Sequence, residues 1–192
     1  MLSNEELLAF IKPYYENKDI MHDLWHIELV QKQVDHIISL GKYKVDREAL
    51  RLALAFHGFV YRDEIAIRTY LSEKGCNEAL IEKCILIARE SQRPEIPVTL
   101  EGKILHDAHV LEGGKTYAVV KTLITGSVRG QSLIETLDYL EKHVLDKNKC
   151  YLPETIPLCA EMNDFTSMFY RELCQGIKNA GGADTDDCPP VL

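Results

Sequence analysis

Between Asp46 and His57 the sequence reads DREALRLALAFH, a helical stretch that is apolar on nearly every side. A helix without a polar face has to be covered all round, so it marks the middle of a helical core. The run ends in His57 followed by Gly58. Glycine stops helices readily and histidine in a last turn suits the helix dipole, so one meaning of the pair is a plain helix end. The other is that a buried helix carries an imidazole to a site.

The rest of the chain supplies the cover. Ser3 with Glu6 forms a capping box that opens a first helix, which Pro13 is expected to interrupt or end. From His22 to about Leu40, Val30, Val34, Ile37 and Ile38 recur at helical spacing, with Gly41 as the stop. Asp46 can cap the central helix. Further helices are expected at about 63–74, 77–91, 100–112, 115–124, 131–145 and 154–179. SQRPEIPV and LPETIP, with two prolines each, read as loops. No strand pair, internal repeat or Gly-rich phosphate loop is evident. The expected fold is all-α: a single helical domain over 1–180 and a disordered tail, GGADTDDCPPVL, over 181–192.

Composition narrows the function classes. A net charge of −8 without a basic stripe disfavours nucleic-acid binding. No basic-then-apolar leader and no run of 18 apolar residues are found, so neither a signal peptide nor a membrane span is expected, and the cytoplasm is the expected compartment. Cys76, Cys84, Cys150, Cys159, Cys174 and Cys188 form no CxxC pair and fit reduced thiols.

Polar residues on apolar faces single out a candidate site. His26 shares a face with Val30, Val34 and Ile37, and His22 lies one turn earlier. Asp107 sits between Ile104 and Leu111 at steps of three and four. A buried imidazole can simply hydrogen-bond a carbonyl, and a buried Asp can cap a neighbouring helix or pair with an arginine such as Arg51 or Arg93. Together, a His/His/Asp set on three helices suits a divalent metal ion with positions open to water: Mn, Mg, Fe, Co, Ni or Zn. His106 and His109 point about 100° and 200° away from Asp107 and read as solvated, at 3.6 residues per turn. His36 and His143 read as surface residues.

Three segments, HDLWHIELV, ALRLALAFHGFVY and LEGKILHDAHVLEG, resemble the signature segments of the HD-domain metal-dependent phosphohydrolase superfamily. SLIETLDYLEKHVL and LPETIPLCAEMNDFTSMFYREL resemble its last two helices, so the likeness spans about residues 20–175. It implies an all-α HD-domain bundle in which His26, His57 and Asp107 bind a divalent metal ion. The implied reaction is water attack on a nucleotide or small phosphate ester, and a homodimer is compatible with it. Gly58 stands where the family places the Asp of its His-Asp pair, Leu29 replaces a common Arg, ARESQRP lacks a His, and His109 replaces an Asp. His22 is a candidate fourth ligand, and Asp63 and Glu64 are candidate catalytic carboxylates. On this reading Asp107→Ala removes the metal, and Gly58→Asp strengthens its binding. The alternatives are a degenerate HD domain that binds metal or nucleotide without catalysis, as a sensor or interaction module, and a purely structural helical domain.

Overall fold

The computed structural model describes residues 2–181, and among them the chain is all-helical, with nine helices and no strand. They are α1 (Asn4–Tyr15), α2 (Leu24–Gly41), α3 (Arg47–Phe56), α4 (Glu64–Glu73), α5 (Glu78–Glu90), α6 (Leu100–Leu111), α7 (Lys115–Val128), α8 (Leu133–His143) and α9 (Ile156–Gly181). Of the tail expected over 181–192, Gly181 closes α9 and the remainder lies outside the described residues. No helix among the described residues is long and apolar enough to cross a membrane.

Two local expectations are corrected. The Ser3–Glu6 capping box is present, but Pro13 lies inside α1 rather than ending it. A proline removes one ladder bond, and here the following turn is kept by Tyr15, which is fully buried, and by Tyr14, stacked on Phe59 at 3.9 Å. At the end of α2 the left-handed residue is Lys42, with φ 52°, and not Gly41. Gly41 is needed for space instead, because the ring of Tyr43 occupies the place of a Cβ.

Contacts divide the chain into two compact units, one built on residues up to Val110 with Cys150–Thr155, the other on Leu111–Lys149 and Ile156 onward. In the first, α3 is the central element. Ala49, Leu50, Leu52, Ala53, Leu54, Ala55 and Phe56 are all buried, and α1, α2 and α5 pack around them. In the second unit α7 packs on α8 and α9, and Leu137, Leu140, Val144, Tyr170 and Cys174 form a core.

The TLEGKIL segment is a set of latches within the first unit. Thr99 Oγ1 accepts from Gly102 N at 3.0 Å and so caps α6. The buried carboxylate of Glu90, at the end of α5, accepts from Val98 N at 2.8 Å, Thr99 N at 3.2 Å and the Thr99 hydroxyl. A Cβ on Gly102 would fall 1.8 Å from Glu90 Oε2, so glycine is what lets this carboxylate approach. Glu101 accepts from Asp46 N and from Lys83 Nζ, each at 3.0 Å, and ties α6 to the start of α3 and to α5.

These carboxylates predict an acid transition. The Ala49 N–H, helped by Lys83, holds Asp46 below its ordinary 3.8. Burial pushes Glu101 up, but the Asp46 N–H and Lys83 outweigh it and hold the group below 4.5. Groups with depressed folded values contribute stability that is present above their unfolded values and lost as the pH falls through the folded ones. The melting temperature should therefore fall as pH drops from about 5 to about 3, and Glu101→Gln should flatten that slope. Parallel slopes for the two proteins would remove Glu101 from the latch.

Candidate metal site

Three helices of the first unit bring imidazoles together. Asp23 caps α2 by accepting from Trp25 N at 2.9 Å, which places His26 in the first turn, facing inward and 2% exposed. His57 occupies the C-cap of α3 and is 3% exposed. His109 lies in the last turn of α6, partly buried. Ring centroids are 5.2 Å apart for His26 and His57, 5.3 Å for His26 and His109, and 5.1 Å for His57 and His109. One ligand nitrogen from each lies within 4.8 Å of the other two, close enough to hold a metal ion.

Neighbouring carbonyls orient two of the rings. His57 Nδ1 faces Leu54 O, and His109 Nδ1 faces Ser91 O at 3.3 Å. A carbonyl oxygen only accepts, so each Nδ1 carries the proton and each neutral ring keeps its lone pair on Nε2. His57 Nε2 lies 3.1 Å from His26 Nε2. Two lone pairs at that separation repel unless a proton or a cation lies between them. Two nitrogens bound tetrahedrally to one ion at 2.0–2.1 Å would sit about 3.3–3.4 Å apart, close to this spacing.

The turn after α3 is fixed from outside. Gly58 N donates to Tyr15 OH at 3.1 Å, which itself donates to Ala55 O at 3.1 Å. Burial pushes the Tyr15 phenol up, so it stays a neutral donor. Lys18 Nζ donates to Gly58 O at 3.1 Å and Gln92 Nε2 to His57 O at 2.8 Å. The carbonyls that end the helix thus have donors, and the His57 backbone is held from both sides.

The remaining candidate residues are placed elsewhere. Asp107 is fully buried, as expected, but its carboxylate faces the segment before α9. It accepts from Tyr151 N at 2.9 Å, Leu152 N at 2.9 Å and Thr155 Oγ1 at 2.5 Å. His106 Nδ1 stands 3.3 Å from its other oxygen. These donors, in the turn that precedes α9, take up the acceptor sites of the carboxylate, so among the described residues Asp107 neither caps a helix nor pairs with an arginine. His22 lies beside the cluster, its ring 6.1 Å from that of His26, with Nδ1 2.9 Å from Asp19 Oδ1. Asp63 caps α4 through Ala66 N at 3.2 Å and accepts from Tyr14 OH at 3.0 Å. Glu64 pairs with Arg68 Nε at 2.8 Å and with Arg89. Neither carboxylate joins the imidazoles. His36 and His143 are exposed, as expected.

Two histidines expected to be solvated are not. His106 is buried against Tyr151, ring centroids 5.0 Å apart. His109 supplies the third donor of the cluster. The sequence carried a signal for it: Gly102, Leu105 and His109 recur at steps of three and four, and the first two are buried. Helix α6 therefore has two covered faces, and weighing only the Ile104–Ala108–Leu111 stripe hid the second.

No family model matches the chain, and no curated protein matches it. The crystal structure of the Lin1889 protein from Listeria innocua is similar, with a TM-score of 0.67 at 23% sequence identity, covering 92% of this chain and 98% of that one. That likeness concerns the fold.

Two outcomes follow, both opposite to the sequence-based expectation. Asp107→Asn turns an amide donor toward backbone N–H groups and should lower stability by about 2–3 kcal/mol while leaving bound metal unchanged. Urea unfolding and metal analysis of the same sample check this, and loss of metal in a folded variant would return Asp107 to the site. Gly58→Asp should not strengthen metal binding. Its Cβ would fall 2.5 Å from Tyr15 OH and 2.9 Å from Lys18 Nζ, so the new side chain points at the Tyr15 anchor. A lower melting temperature with unchanged metal affinity is expected, and tighter binding would contradict this placement.

Proposed function

We propose that the chain is a metal-dependent hydrolase acting on a nucleotide or small phosphate ester, with His26, His57 and His109 as the metal ligands. The observation that carries this reading is the triangle of imidazoles, two of them held in the Nε2 lone-pair form by Leu54 O and Ser91 O. The resemblance to HD-domain phosphohydrolases supplies the reaction class. A divalent ion at this site would acidify water and offset charge on phosphoryl oxygens.

The chain's own residues perform three tasks around it. Leu54 O and Ser91 O keep the rings aimed, which limits reorganisation when a cation enters. Lys18, on Gly58 O and over the Tyr15 ring, adds positive charge next to His57, of the sign an anionic substrate requires. Asp19 accepts from His22 Nδ1 and orients that ring 6.1 Å from the ring of His26, where an imidazole can serve as an acid–base group. His22 is thereby read as an acid–base group and not as a fourth ligand.

A second reading keeps the metal without turnover, as a sensor or interaction module. What favours it is that among the described residues no carboxylate joins the three imidazoles, Gly58 having none to offer and Asp107 being engaged elsewhere. Metal analysis of protein purified without chelator, with hydrolysis assays on nucleotides and small phosphomonoesters, separates the readings. Metal with turnover supports the hydrolase, metal without turnover the binding module, and absence of metal defeats both. For the hydrolase, His22→Gln should keep the metal content and lower kcat by roughly 10²-fold or more. Lost metal in that variant would make His22 a ligand.

A further inference from the structure

The ligand set is three neutral imidazoles, and that decides which cations it suits. Mg2+ and Mn2+ are hard ions that depend on carboxylate, carbonyl and water oxygens. Three carboxylates that the sequence offered to the site are committed elsewhere: Asp107 to Tyr151 N, Leu152 N and Thr155, Asp63 to the start of α4, and Glu64 to Arg68 and Arg89. The residue after His57 is a glycine whose side-chain direction is filled by Tyr15 and Lys18. Lys18 also adds positive charge beside the ligands, which weakens any ion held mainly by charge.

We infer that the site selects a late transition ion, zinc foremost, and discriminates against Mn2+ and Mg2+. This inference rests on the metal-site reading above. Nitrogen donors favour Zn2+ over Mn2+ intrinsically, following the Irving–Williams order, and among the described residues no carboxylate joins the cluster to even the balance. The 3.1 Å separation of His26 Nε2 and His57 Nε2 lies near a tetrahedral edge, and the half-buried His109 closes a three-nitrogen face. Because three neutral rings leave both positive charges of the ion uncompensated, the loaded site also has the charge to hold an anion at its remaining position.

The test is a set of titrations of chelator-stripped full-length protein with ZnCl2, MnCl2 and MgCl2 separately, and a Co2+ spectrum of the same protein. Zn2+ should bind at one equivalent, tighter than Mn2+ by about two orders of magnitude or more, with Mg2+ weaker still. His109→Asp, checked by circular dichroism for helix content, should narrow the Zn2+ to Mn2+ ratio by about tenfold or more, since it adds one oxygen anion. The Co2+ spectrum should show nitrogen coordination without thiolate charge transfer. Mn2+ binding as tight as Zn2+ would overturn the inference while leaving the metal site standing, and a thiolate band would place the metal on cysteine and overturn it. Failure of all three ions to bind would instead remove the metal reading itself. If His109→Asp does not fold, the wild-type ratio and the Co2+ spectrum still decide the matter.

Discussion

Burial of most of α3 is the constraint from which the first unit follows. Seven of its ten side chains are buried, leaving only Arg47, Glu48 and Arg51 as a short polar stripe, so α1, α2 and α5 have to close around the rest. Burying a side chain such as Leu52 or Phe56 stabilises by about 1.5–3 kcal/mol, and the contribution depends on continuous cover. Where the helix ends, His57, Phe59 and Val60 are still buried, so the last carbonyls need donors from the protein. Tyr15, Lys18 and Gln92 provide hydrogen bonds there, and His57 emerges at that point with its ring already oriented. The site is thus a consequence of how a mostly buried helix is terminated.

Buried and half-buried carboxylates set the second constraint. Glu90, Glu101 and Asp107 each lie at a junction between elements and each accepts backbone N–H groups. A desolvated carboxylate is tolerated only with several donors, so each one fixes the local path of two segments at once. This explains why the TLEGKILHDA segment is so distinctive in sequence: the stretch combines a cap at Thr99, the gap at Gly102 and two latches at Glu101 and Asp107. Its character is largely that of a structural joint.

The helices were legible because each depends on local signals, namely Ser3 with Glu6, Asp46 before the apolar run, and the stripe from Val30 to Ile38. His26 was legible through its periodicity with Val30, Val34 and Ile37, and His57 as the end of the apolar run. Asp107 and His109 were harder. Periodicity says that a residue faces inward but not which of two buried surroundings it meets, and α6 is covered on two faces. Which side holds the imidazoles depends on Tyr151, Leu152 and Thr155, more than forty residues away, and no window along α6 contains that information.

The division of labour between Asp107 and His109 has an electrostatic logic. Once a carboxylate has bound two backbone N–H groups and a hydroxyl, moving it to a metal would strand all three donors in a buried place, at about 1–3 kcal/mol each. An imidazole with Nδ1 on a carbonyl has the opposite property: it keeps that bond and still presents a lone pair on its far side. The same helix can therefore fix the fold through one residue and offer a ligand through another two positions later, without either role weakening the other. On the proposed reading the ligand set carries no charge, so a cation held there would bring its full positive charge to whatever binds beside it.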